Sequence, residues 1–285
     1  MIVGVSVVPV VLLDLDGVVW LAHEPIPGSV DAIARLRAAG VRVLFVTNNS
    51  AATVRAQESA LTSIGVPAEG DVLTSALAAA TLVAPGTRAL VAGGAGVVEA
   101  LEARGVEAVL AADPSSELGR DGRGGRGGGL GGDVDVDAVV VGFHRNFDYE
   151  GLRRAAAAVR SGALLIGTND DATYPTPQGP IPGGGALVAA VEVASGCRAV
   201  LAGKPHEPMA ALVRSVVGDT AAARAVMVGD RGSTDGGFAR RLGCRFAQVW
   251  SGVTPGIESL DPLVEPVPDL HAQNLAGVVD QLLGP

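Results

Sequence analysis

The chain has 285 residues, enough for one large domain or two modest ones, and its 48% hydrophobic content must build a core from Ala, Val, Leu and Gly because only 3% of residues are aromatic. A net charge of −9 lacks the basic face that general nucleic-acid binding requires. Two cysteines, Cys197 and Cys244, have no paired spacing, which excludes a disulfide framework and a cysteine zinc site and fits a reducing compartment.

Residues 7–13 read as the first strand, an apolar run interrupted by Pro9 and followed by Asp14-Leu15-Asp16-Gly17. No Lys or Arg precedes Asp14, so the run lacks the charged start of a secretory signal. It is also too short to span a bilayer. The expectation is a core strand in a cytoplasmic protein with no membrane partner. A helix capped by Ser29 or Asp31 runs to residue 39, and Gly40 stops it. Strand 41–46 leads to Thr47-Asn48-Asn49, then helix 53–64 stops at Gly65. Helix 75–83, strand 89–92, helix 97–104 and strand 106–110 follow. Residues 119–132 are glycine-rich with interspersed Arg and lack a GK[ST] signature, so they read as a flexible surface insertion. Strand 138–141, helix 149–160 and strand 163–166 come next. Strand 199–202 precedes Lys204, helix 209–217 follows, and strand 225–228 ends at Gly229-Asp230. Helix 234–242, strand 245–249 and helix 275–283 close the chain.

Strands alternating with amphipathic stretches predict an α/β fold with a parallel sheet. In such a sheet the carboxyl ends of all strands share one edge, where ligands bind. Asp14, Asp16, Thr47, Lys204 and Asp230 follow or end predicted strands, so they can meet there although they are spread along the chain. Lys204 stands out for another reason: 20 of the 21 basic residues are arginine, and it is the one lysine. An ammonium is a compact point charge, chemically unlike a guanidinium fork.

These residue types suit phosphoryl transfer, in which cations offset phosphate charge and donors hold its oxygens. Asp14 is expected as the nucleophile that forms an aspartyl-phosphate. Asp16 is expected as the general acid for the leaving oxygen and then the base for water. Asp14, the Asp16 backbone carbonyl and Asp230 form an oxygen-rich set suited to Mg²⁺. Thr47 and the amides of Asn48 and Asn49 would bind the phosphate together with Lys204. Asp235 would support Lys204 or a metal-bound water.

The motifs DLDG at 14–17, VTNN at 46–49, GKP at 203–205 and GDRGSTD at 229–235 resemble the four motifs of haloacid-dehalogenase-superfamily phosphatases. The stretch GTNDDATYPTPQGPIPGGGALVAA at 167–190 resembles subfamily IIA, the NagD-like group. That group includes phosphatases of p-nitrophenyl phosphate, nucleotide monophosphates, phosphoglycolate and glycerol phosphate. The resemblance implies a Rossmann-like core with an inserted α/β cap of the C2 type, an aspartyl-phosphate mechanism and Mg²⁺. Cap-mediated dimers occur in the family, so a homodimer is an expectation of the resemblance. Two departures stand out. Gly236-Gly237 follow Asp235 where a bulky aliphatic residue is usual, and Ser233 stands where an acidic residue is common. Glycines at a helix start cost roughly 1 kcal/mol each relative to alanine, so a looser fourth-motif loop is expected.

Thr47 and Lys204 are 157 positions apart, more than core connections need. Residues 1–81 and 183–285 are therefore assigned to the core, and 82–182 to a cap that favours small phosphorylated metabolites. Within it, Asn169 and Asp171 are the expected contacts to the leaving group. Three rivals share some of these features. A mutase-type phosphotransferase would use the same core residues, and a non-catalytic phospho-ligand binder would not need all of them intact. A nicotinamide-dependent oxidoreductase would need Gly93-Gly94-Ala95-Gly96 to be a dinucleotide fingerprint, but the third glycine position is then Glu99, an acid that would face a pyrophosphate.

Overall fold

The computed structural model describes residues 8–111, 135–174, 176, 179–259 and 265–284. The glycine-rich stretch 119–132 lies outside the described residues. The chain forms two compact units, one from residues 1–48, 54–74 and 203–285, the other from 49–53 and 75–202. Among the described residues, no helix is long and apolar enough to cross a membrane.

The chain begins with β1 (Val10–Leu13), a two-strand hairpin of β2 (Trp20–Leu21) and β3 (Glu24–Pro25), α1 (Ser29–Ala38), β4 (Arg42–Thr47), α2 (Val54–Ser63) and β5 (Val72–Thr74). The second unit holds α3 (Ser75–Ala80), β6 (Arg88–Ala92), α4 (Ala95–Glu102), β7 (Glu107–Leu110), β8 (Ala138–Val141), α5 (Tyr149–Arg160), β9 (Leu164–Gly167), β10 (Thr173–Tyr174), β11 (Ile181–Pro182), α6 (Gly184–Ser195) and β12 (Val200–Leu201). The first unit resumes with α7 (Glu207–Val217), α8 (Asp219–Ala223), β13 (Val226–Gly229), a wide turn over Gly232–Gly236, α9 (Gly237–Leu242), β14 (Arg245–Val249), β15 (Leu270–Ala272) and α10 (Leu275–Leu283).

The first unit is built on a six-stranded parallel sheet ordered β15-β14-β13-β1-β4-β5. Strands buried on both faces need continuous apolar runs, and β1 (VVLL) and β4 after its first residue meet that need. Val11, Leu13, Val43 and Phe45 join a cluster with Ile33 and Leu36 of α1 and Val278 and Val279 of α10. The alternate residues Leu12, Leu44 and Met227 are equally buried, as period-2 side chains of a sheet covered on both faces must be. From β1 the chain moves outward through β4 and β5. From β13 it moves the other way through β14 and β15. The β1/β13 boundary is thus a topological switch point, and its carboxyl end is where such sheets bind ligands.

The second unit has its own parallel sheet, ordered β12-β9-β8-β6-β7. It draws in more chain than residues 82–182: α3 packs on α4, α6 packs on α5, and β12 pairs with β9. The strand before Lys204 is therefore not a core strand, contrary to the expectation from sequence. The physical reason is pairing: Val200 and Leu201 bond beside Ile166 and Gly167.

Other differences are local. Among the described residues the first strand starts at Val10, and residue 7 lies outside them; Pro9 has no N–H to give, although its carbonyl still accepts from Arg42 N (3.1 Å). Neither Ser29 nor Asp31 caps α1. Gly28 is the N-cap, and Ser29 Oγ donates to the Val19 carbonyl instead (2.8 Å). Gly236 and Gly237 sit in and just after a wide turn rather than in a plain helix start. A Cβ at Gly236 would lie 2.9 Å from the Phe246 ring, and one at Gly237 3.0 Å from Pro205, so the two glycines permit close packing here.

Candidate active site

Asp14 follows β1 directly, and its N–H continues the ladder by donating to Val228 O (3.0 Å). Asp230 follows β13, Thr47 ends β4, and all three stand at the carboxyl edge of the sheet. Asp16 lies in the tight loop after Asp14, where the Leu15 carbonyl accepts from Val18, Val19 and Trp20 and Gly17 N donates to Trp20 O. Gly17 has φ +86°, a conformation that L side chains rarely adopt.

Lys204 reaches this edge from the loop after β12. Its ammonium is buried and donates to Asp14 Oδ1 and to Asp235 Oδ1, both at 2.7 Å. Asp235 is itself held by the wide turn: its N–H donates to Arg231 O (2.8 Å) and its Oδ2 accepts from Arg231 N (3.2 Å). Asp14, Asp230 and Asp235 each offer an oxygen within 4.8 Å of the others. Thr47, Asn48, Lys204, Asp230 and Asp235 therefore join Asp14 and Asp16 in the first unit. Asn49, Asn169 and Asp171 belong to the second. There Asn169 is buried and its Oδ1 accepts from Asp171 N (3.2 Å).

Several supporting residues were not anticipated from sequence. Asp230 Oδ2 accepts from Val253 N (2.6 Å), and Ser251 Oγ donates to Gly17 O (2.6 Å). A Cβ at Gly17 would come within 2.5 Å of Asp230 Oδ2, and one at Gly252 would also collide with that carboxylate. The Ser251-Gly252-Val253 loop after β14 thus frames Asp230. Asn48 contributes its side chain as well as its backbone: Nδ2 donates to Lys204 O (3.0 Å) and Oδ1 accepts from Lys204 N (2.8 Å). A polar residue just past a core strand is the one sequence signal that could have suggested this.

The electrostatics are those of crowded carboxylates. Burial raises the Asp16 pKa to about 6, with a further push from Asp14, while the Trp20 side chain and Lys204 pull it down. Burial also pushes Asp230 up, reinforced by Asp235 and then Asp14. Asp235 goes up through burial despite Lys204 beside it. Burial alone would lower Lys204, but Asp14 and Asp235 more than reverse it, and the ammonium is held firmly protonated. Four carboxylates, Asp14, Asp16, Asp230 and Asp235, thus crowd around one ammonium, which bonds to Asp14 and Asp235. The excess negative charge on clustered oxygen donors fits a hard divalent cation.

The rival fingerprint has a structural explanation. The Cβ positions of Gly94 and Gly96 are filled by the backbone of Ala51 and by the Ala52 and Ser50 carbonyls, and Gly96 N donates to Ala51 O (3.1 Å). These glycines admit a neighbouring stretch of chain at the start of α4, where a dinucleotide fingerprint would admit a pyrophosphate.

The chain is similar to known proteins over most of its length. A haloacid dehalogenase-like hydrolase family model matches residues 11–107, and a second model of HAD-hydrolase-like proteins matches 201–278. The acid sugar phosphatase of Staphylococcus saprophyticus is 35% identical over 247 residues, covering 85% of this chain and 86% of that protein. The p-nitrophenyl phosphatase of Archaeoglobus fulgidus superposes with a TM-score of 0.83 at 27% identity, covering 97% of this chain and all of that one. A glycerol phosphate phosphatase of Mycobacterium tuberculosis in complex with magnesium superposes with a TM-score of 0.76 at 30% identity, covering 94% of this chain and 75% of that one. The fold and the site define a doubly wound α/β protein with a carboxylate-lined switch point. The chain belongs to the haloacid dehalogenase-like hydrolases.

Proposed function

We propose that the protein is a magnesium-dependent phosphatase that hydrolyses small phosphomonoesters through an aspartyl-phosphate on Asp14. The observation that carries this reading is the 2.7 Å contact of Lys204 Nζ with Asp14 Oδ1, across 190 residues of sequence, at the edge where ligands bind.

The carboxylates of Asp14 and Asp230 and the backbone carbonyl of Asp16 would hold Mg²⁺, with Asp235 beside them. When bound, the ion offsets the charge of the phosphoryl group. In the first step an Asp14 oxygen attacks phosphorus as the bond to the ester oxygen breaks, and Asp16 gives that oxygen its proton. In the second, Asp16, now a carboxylate, takes a proton from water, whose oxygen attacks the phosphorus of the acyl phosphate. The bond to Asp14 breaks, orthophosphate leaves, and Asp16 is again protonated. Lys204, the Thr47 hydroxyl and the amides of Asn48 and Asn49 hold phosphate oxygens. A carboxyl group with a pKa near 6 keeps a useful share of its protons near neutrality, which supports Asp16 in this dual role.

Residues 1–48, 54–74 and 203–285 serve as the catalytic core, and the inserted unit serves as the cap that selects substrates, with Asn169 and Asp171 as its candidate specificity residues. Free cysteines, with the Cys244 thiol pushed by burial to about 11 and Cys197 exposed, support a reducing, cytoplasmic setting. The net charge of −9 supports a small phosphorylated metabolite rather than nucleic acid as the partner, no membrane partner is proposed, and a homodimer is the assembly that the family resemblance implies. The deciding experiment is phosphate release from p-nitrophenyl phosphate with Mg²⁺ and with EDTA. Turnover that stops in EDTA and returns with Mg²⁺ is expected. Turnover undiminished by EDTA would reject the metal-dependent reading.

A further inference from the structure

Lys204 has an unusual support problem. The other sheet-edge residues of the site, Asp14, Thr47 and Asp230, end or directly follow strands whose ladders fix their backbones. Lys204 follows β12, a two-residue edge strand paired in the other sheet, and lies three residues beyond its last paired position, Leu201. A buried ammonium that must sit 2.7 Å from two carboxylates needs a fixed backbone, because lysine carries about 2 kcal/mol of rotamer entropy.

We infer that Asn48 is the positioning residue for Lys204. Its carboxamide is one planar group that pairs with both polar groups of the Lys204 main chain, donating to O at 3.0 Å and accepting from N at 2.8 Å. A carboxamide presents the same donor and acceptor pair as a peptide unit. It therefore does for Lys204 what a neighbouring strand would do. Asn48 is well placed for this task. It is the residue after β4, which is flanked by β1 and β5, and Thr47 beside it is in register with Thr74. Rigidity passes from the core sheet through one side chain to the loop that carries the amine. An apolar residue at 48 would leave the Lys204 N–H and carbonyl without these partners. An aspartate would keep the acceptor and lose the donor.

This inference rests on the reading of Lys204 given above, and its test separates the two. Lys204 is the one lysine in the sequence, so amine-selective reductive methylation reports on this residue alone, with the chain's α-amine as internal reference. In the wild type Lys204 is expected to resist methylation, being 1% exposed. In Asn48→Ala it is expected to become modified, kcat to fall at least about tenfold, and KM to change less than about threefold. In Asn48→Asp both effects should be present and smaller. Added to Lys204→Ala, Asn48→Ala should change kcat by less than about threefold, since coupled residues are non-additive.

Lost activity with Lys204 still protected would overturn the inference, because Asn48 would then act by another route. Unchanged activity and protection in Asn48→Ala would overturn it too. Should Asn48→Ala fail to fold, Asn48→Asp carries the same measurements, and wild-type protection there would count against the clamp. Full activity in Lys204→Ala would instead reject the catalytic reading of the lysine, while the methylation result would still decide whether Asn48 holds it.

Discussion

Asp14 and Lys204 are the residues on which the chemistry turns. Asp14→Asn removes the nucleophile and keeps the shape, so kcat should fall on the order of 10⁴-fold or more while the melting curve stays cooperative. Steady-state kinetics beside a thermal scan checks this, and near-wild-type turnover would exclude Asp14. Lys204→Arg keeps a charge but puts a planar fork where a point charge bridges two carboxylates 2.7 Å away. At least a tenfold loss of kcat/KM is expected, about 1.4 kcal/mol of transition-state stabilisation. Asp230 gives a prediction of two signs. Its pKa is pushed up by burial and by Asp235, so without metal its charge opposes folding. In EDTA, Asp230→Asn should melt no lower than the wild type, because the amide oxygen can still accept from Val253 N. With Mg²⁺ the wild type should gain stability by linkage and the variant should gain much less. Equal gains in both would remove Asp230 from the metal site.

At the scale of elements, the loop after β14 fixes the site as firmly as the strands do. Gly252→Ala puts a methyl into the Asp230 carboxylate and should raise the Mg²⁺ concentration for half-maximal activity by at least about tenfold. A magnesium titration of activity checks it, and an unchanged midpoint would show that Asp230 has room to move. This loop was not legible in the sequence, since Ser251-Gly252-Val253 reads as any turn after a strand. By contrast β14, α5 and α10 appear with the boundaries the periodicity gives, because each has a clear apolar pattern and a stop signal. The short pieces escaped notice for the opposite reason. Neither the β2–β3 hairpin nor β5 is long enough to show a period. The error at β12 is of another kind. Its apolar residues suit a parallel strand in either sheet, and only long-range pairing decides which.

For the whole molecule, the order of motifs was legible because three of the four fall at loops that the first unit's sheet brings to one edge. What held Lys204 there was not, because it depends on a side chain 156 residues away. The partition of the chain was only roughly visible, since residues 75–81 and 183–202 carry patterns that suit either unit. The small-metabolite reading implies that p-nitrophenyl phosphate is turned over and phosphocasein is not. Phosphate release from both substrates side by side checks this, and comparable rates would contradict it.

The covalent role of Asp14 is open to direct chemical trapping. Enzyme quenched in acid during turnover of p-nitrophenyl phosphate with Mg²⁺, then reduced with borohydride and read by peptide mass spectrometry, should carry homoserine at position 14. Active enzyme that yields intact aspartate at position 14, with homoserine at another aspartate position, would contradict the assignment.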